Sequence, residues 1–95
     1  MTLEAVQTIL EAHKAELEAF GVRELLLFGS TARNEARADS DVDFLVELEH
    51  YTLHNFMGLK FALEEWLGKN VDLGTKRSLK PILQNTIRQD LRRVA

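Results

Sequence analysis

Leu3, Val6, Leu10, His13, Leu17 and Phe20 recur at steps of three and four residues. That spacing lines one face of a helix, so residues from about 3 to 20 are predicted as one amphipathic helix. Thr2 supplies an N-cap hydroxyl, and Gly21 a left-handed C-terminal stop. Val22 to Phe28 then read as a strand. Its continuous apolar run Leu25-Leu26-Leu27-Phe28 predicts burial on both faces. Gly29-Ser30 ends this strand, and Thr31 to Asn34 form a short helical turn.

A second strand is predicted over roughly Asp41 to Leu48, alternating after an acidic start. Thr52 caps a second long helix that ends at Gly68. Its Leu53, Phe56, Leu59 or Lys60, Leu63, Trp66 and Leu67 lie broadly on one side. Val71-Asp72-Leu73 is a short third strand between Asn70 and Gly74. Pro81 suits the first turn of a last helix whose apolar stripe is Ile82, Ile87, Leu91 and Val94. The order helix, strand, short helix, strand, helix, strand, helix implies an α+β fold, a small sheet covered by helices in two layers.

Composition narrows the classes. Ninety-five residues suit one compact domain over 1–95, with little room for a second core. No apolar run approaches the roughly 20 residues of a membrane span. The start Met1-Thr2-Leu3-Glu4 lacks the basic and apolar regions of a signal peptide. The absence of cysteine excludes a disulfide framework, a thiolate zinc site and a cysteine nucleophile. A cytoplasmic protein fits these features. The net charge of −3 hides an asymmetry: −8 over residues 1–75 and +5 from Lys76 to Ala95. The basic residues of the last segment do not form a block, so they read as a solvated helix face rather than a nucleic-acid surface. Interleaved aromatic residues, which would suit nucleic acid, are also missing there. His13 reads as a partly buried packing residue, and Trp66 as core or interface packing.

The stretch from Gly29 to Val46 carries the chemistry. Asp41 and Asp43, two apart on a strand, would share one face, separated by roughly 6.5 Å along the chain. Two such carboxylates repel unless a cation lies between them, and Mg²⁺ prefers oxygen ligands. Alone, the pair reads equally as a metal site or a solvated strand end. The apolar Phe44-Leu45-Val46 that follows ties the pair to a core strand. Upstream, Gly29 permits close backbone approach to a phosphate, and the Ser30 hydroxyl serves either a phosphate or an N-cap. There is no Gly-x-x-x-x-Gly-Lys-Ser/Thr sequence, so a P-loop enzyme is disfavoured.

Gly29-Ser30, Ala32-Arg33 and Ser40-Asp41-Val42-Asp43-Phe44-Leu45-Val46 together resemble the minimal nucleotidyltransferases of the polymerase-beta-like superfamily. Their pattern is Gly-Ser, then Ala-Arg-Gly, then Ser-Asp-x-Asp before apolar residues. Asn34 departs from it where glycine is frequent, but asparagine tolerates a left-handed backbone. Ala38 replaces a frequent proline. The resemblance implies the family's two-layer fold with a mixed sheet, and a third carboxylate on a neighbouring strand, which is Asp72 here. It implies transfer of AMP from ATP to a hydroxyl, with two Mg²⁺ ions held by Asp41, Asp43 and Asp72. Gly29 and Ser30 would hold phosphates, Arg33 would neutralise phosphate or pair with Glu35, and Ser40 would orient the carboxylates. Asp39 caps the loop before Ser40. Family members commonly pair with a helical HEPN-domain ribonuclease toxin, which implies an antitoxin that modifies a tyrosine of that partner. The competing reading is an antitoxin that acts by contact alone.

Overall fold

In a computed structural model of the chain, residues 1–75 and 91–95 are described. Thr2 accepts a hydrogen bond from Ala5 N–H at 3.1 Å and so opens α1, Leu3–Ala12. The predicted single first helix is broken. His13 turns aside with φ −111° and ψ 23°, and α2 follows as Lys14–Ala19. The His13 N–H bonds Leu10 O rather than the carbonyl four residues back, which tightens the last turn of α1. The physical reason lies far away in the chain. The His13 imidazole stacks on the Trp66 ring, centroids 4.2 Å apart and planes 7° from parallel. Both residues pack as the sequence suggests, but their pairing bends the helix.

β1 spans Val22–Phe28 with the predicted boundaries. The following helix α3, Gly29–Ala32, begins two residues earlier than the predicted turn. β2 covers Val42–Leu48, and α4 covers Leu53–Leu67 between a Thr52 cap and a left-handed Gly68 (φ +66°). The Thr52 hydroxyl accepts from Asn55 N–H at 3.0 Å. β3 is Val71–Thr75. The predicted last helix lies outside the described residues, except at its end. There Arg92–Arg93 form a short strand, β4, against Leu26 and Leu27 of β1. Leu91 and Val94 therefore flank a strand instead of lining the predicted helix stripe. A two-residue edge strand has no periodicity of its own, and it forms only because β1 offers an edge. Ala95 O accepts from Leu25 N–H at 3.0 Å, and Arg93 pairs with Glu24 at 3.6 Å.

The sheet order is β3-β2-β1-β4. β1 runs antiparallel to β2 and to β4, while β2 and β3 are parallel. This is the mixed sheet that the α+β reading required. One face of the sheet carries the core. Val6 and Leu10 of α1, Leu17 of α2, and Leu59, Leu63 and Leu67 of α4 pack on Leu25, Leu27, Val42, Phe44, Val46, Val71 and Leu73. Leu53 does not join them. It is 79% exposed at the first turn of α4, although its spacing placed it on the apolar side. Leu26 and Leu45 point the other way, opposite each other across β1 and β2, and both are buried. The run Leu25-Leu26-Leu27 is thus buried on both faces, as its lack of alternation predicted.

Candidate active site

Strand alternation assigns the acids their side. Val42, Phe44, Val71 and Leu73 face the helices, so Asp43 and Asp72 project from the opposite face. The parallel register makes Asp43 and Asp72 direct Cα partners. β1 runs antiparallel to β2, so Phe28 lies opposite Asp43, and the chain then turns into Gly29. One end of the sheet therefore gathers Gly29, Asp43 and Asp72, which are far apart in sequence. Asp41 sits just before β2, in the loop rather than on the strand, and is exposed.

Gly29 has φ +77°, a conformation L side chains rarely adopt. A Cβ built there would stand 2.5 Å from Asp43 Oδ2. Glycine is thus required twice at this position, once by the backbone and once by the carboxylate lying against it. Asn34, with φ +57°, takes the left-handed position where the related pattern has glycine. Its side chain also fastens the loop to the start of α1, because Asn34 Oδ1 accepts from Leu3 N–H at 2.8 Å.

The Asp43 carboxyl has its pKa raised above the ordinary 3.8. Burial is the largest cause, followed by the negative charges of Asp72 and then Asp41. The Arg33 guanidinium opposes these effects. Asp43 therefore feels the charges of both other predicted aspartates. Arg33 also pairs with Glu35 at 3.1 Å, the ion pair that the sequence offered as one of its two readings. Ser40 bonds within its own loop. Its hydroxyl accepts from Arg37 N–H at 2.9 Å, and its own N–H returns to Arg37 O at 3.1 Å. It closes a turn just before Asp41 and takes the capping place predicted for Asp39. Nothing in the sequence singles out Thr31. It is buried beside Ala32 in α3, and its hydroxyl has no hydrogen-bond partner among the described residues.

Among the described residues, no group of three or more acidic or histidine side chains is gathered closely enough to hold a metal ion by itself. The donor set nonetheless suits Mg²⁺, which takes one or two carboxylates and completes its shell with water and substrate phosphates. The carboxyl whose pKa the neighbouring negative charges raise is also the group a cation would relieve. Beside Asp41 opens a cleft of about 450 Å³, lined by Ala38, Asp39, Ser40, Glu64, Lys69 and Asn70 among others. No local pattern in the chain signals it, because Lys69 and Ala38 meet only through the packing of α4 against the sheet.

Comparison with known proteins agrees with this arrangement. The nucleotidyltransferase domain family matches residues 6–94. The protein adenylyltransferase MntA of Thermococcus cleftensis is 48% identical over 93 residues, 96% of this chain and 94% of the relative. A solved structure assigned to the minimal nucleotidyltransferases superposes with a TM-score of 0.82 at 39% identity, covering 97% of this chain and 95% of that one. A chain from a complex of tri-AMPylated Shewanella oneidensis HEPN toxin with an MNT antitoxin shares the fold at 20% identity. Its TM-score is 0.64, and the match covers 94% of this chain and 71% of that one. With the family's domain running almost end to end and the carboxylates converging at one end of its sheet, this chain belongs to the nucleotidyltransferase domain family.

Proposed function

We propose that this chain transfers AMP from ATP to a tyrosine hydroxyl of a HEPN-type ribonuclease toxin and thereby acts as its antitoxin, in the cytoplasm. The observation that carries the reading is the pairing of Asp43 with Asp72 across β2 and β3, with Asp43 lying against the backbone of Gly29. The 48% identity to an adenylyltransferase supports the reaction class, and the likeness to a chain from a HEPN–MNT complex supports the partner class.

In the reaction, the acceptor oxygen forms a bond to the α-phosphorus, and the bond from that phosphorus to the β-bridging oxygen breaks. Pyrophosphate leaves and the acceptor hydroxyl loses its proton. Such transfer depends on positioning and on neutralising charge. Asp41 and Asp43 would hold Mg²⁺ with the triphosphate, and Asp72 would hold a second ion or take the acceptor proton. Mg²⁺, when bound, would offset the negative charge of the phosphates. Gly29 and Ser30 open α3, whose first N–H groups have no intrahelical acceptor and can donate to phosphate oxygens. Arg33, whose charge Asp43 feels, would contribute positive charge there.

The test is intact-mass spectrometry after incubation with Mg²⁺-ATP and a HEPN-type partner, alongside an Asp41→Asn/Asp43→Asn double variant. Metal-dependent addition of AMP to the partner, lost in the double variant, supports the reading. A stable complex neutralised with no added AMP would replace it with inhibition by contact alone.

A further inference from the structure

We infer that Lys69 is a positioning residue for transfer, holding in place the loop that presents Asp41. The inference rests on the proposed role of Asp41 as a metal-binding carboxylate. Residues 33–41 link α3 to β2 without regular structure, so ladder hydrogen bonds do not fix Asp41. The first half of this loop is well tied. Glu35 N–H donates to Ser30 O at 2.8 Å, and Asn34 receives the Leu3 N–H. The second half has its internal turn between Arg37 and Ser40, which shapes the loop but anchors it to nothing.

Lys69 supplies the missing anchor. Its Nζ donates to Ala38 O at 2.5 Å, across 31 positions of sequence. The bond ties the 37–41 half of the loop to the far end of α4. A charged donor gives a stronger hydrogen bond than a neutral one, and a loop carbonyl has no competing ladder partner. The base of Lys69 is itself firm. It follows the left-handed Gly68, and the next residue, Asn70, accepts the Val42 N–H at 2.9 Å. Then Val71 N–H donates to the Glu64 carboxylate of α4 at 3.1 Å. Asp41 is therefore bracketed, with the Lys69 bond three residues before it and the Asn70 bond at the next residue. Without the ammonium, only the strand side of the bracket remains. Lys69 also lines the cleft shared with Asp39, Asp41 and Glu64.

Lys69→Met keeps the stem and removes the donor, while Lys69→Arg keeps a donor. Two readouts are needed: Mn²⁺ binding in the presence of a non-hydrolysable ATP analogue, and AMP transfer to a HEPN-type partner with kcat and KM separated. The expected result for Lys69→Met is about 2- to 5-fold weaker Mn²⁺ binding and a similar fall in kcat, with the acceptor KM unchanged. Its melting midpoint should stay within about 4 °C of the parent, because an exposed bond contributes little to stability. Lys69→Arg should recover most of both. Unchanged Mn²⁺ binding and kcat in Lys69→Met, beside an Asp41→Asn variant that loses both, would overturn the inference alone. So would a loss that Lys69→Arg fails to recover. If Asp41→Asn itself binds Mn²⁺ and transfers AMP as the parent does, the proposed role of Asp41 fails and the inference falls with it.

Discussion

Replacing Gly29 by alanine adds one methyl group and tests the site at its tightest point. Two effects follow from the structure. At φ +77° an L residue is strained by about 1–2 kcal/mol relative to glycine. The new Cβ would also meet Asp43 Oδ2 at 2.5 Å, where ordinary contact begins near 3.4 Å. The carboxylate or the backbone must therefore give by about 0.9 Å, a displacement that commonly costs transfer about 100-fold. Gly21 separates the two effects. It has φ +76°, but its built Cβ would lie 3.7 Å from Glu49 Cβ, an unstrained contact at the far end of β1. Gly21→Ala should lose about 1–2 kcal/mol, lowering the melting midpoint by about 4–16 °C, and Gly29→Ala should lose more because its Cβ also displaces Asp43. Only Gly29→Ala should lose AMP transfer, measured by radiolabelled ATP well below both midpoints. Equal transfer by the two variants, in either direction, would refute the claim that the Gly29 backbone fixes the Asp43 carboxylate.

Three further outcomes are expected. Asp43 binds its proton more tightly folded than unfolded, so its ionisation destabilises the metal-free fold. Asp43→Asn should abolish transfer yet raise the melting midpoint in EDTA at neutral pH. That gain should shrink as pH falls through the raised Asp43 pKa and vanish below 3.8, and its absence at neutral pH would count against the reading. Thr31→Val removes a buried hydroxyl without a partner among the described residues, so urea titration should show stability unchanged or raised by up to about 1 kcal/mol. A loss larger than that would mean the hydroxyl is bonded in solution. Leu63, fully buried between α4 and the sheet, should cost about 2–5 kcal/mol as Leu63→Ala in the same titration.

Local physics is what the sequence by itself determined. β1, with its unalternating leucines, and α4, between Thr52 and Gly68, both follow from signals within a few residues of each boundary. The spacing of the acidic pair before Phe44-Leu45-Val46 is of the same kind, while the left-handed Asn34 was marked by the resemblance, where the related pattern has glycine. Asp72 is an intermediate case. Nothing in Val71-Asp72-Leu73 marks it apart from a surface aspartate, and the family resemblance alone singles it out.

Only the tertiary structure decided the rest, because the cause in each case lies distant in the chain. The break at His13 needs Trp66 on another helix, and the strand at Arg92–Arg93 needs the free edge of β1. Leu53 keeps helical spacing with the core residues, yet α4 extends past the core at that turn and leaves it in solvent. The alignment of Asp43 with Asp72 depends on strand register, where a slip of one residue would turn the carboxylate into the helix layer. The hold of Lys69 on Ala38 spans 31 positions and exists only because α4 returns the chain to the mouth of the loop. Short-range signals set the elements, while register and edge pairing, properties of two segments at once, assembled the site.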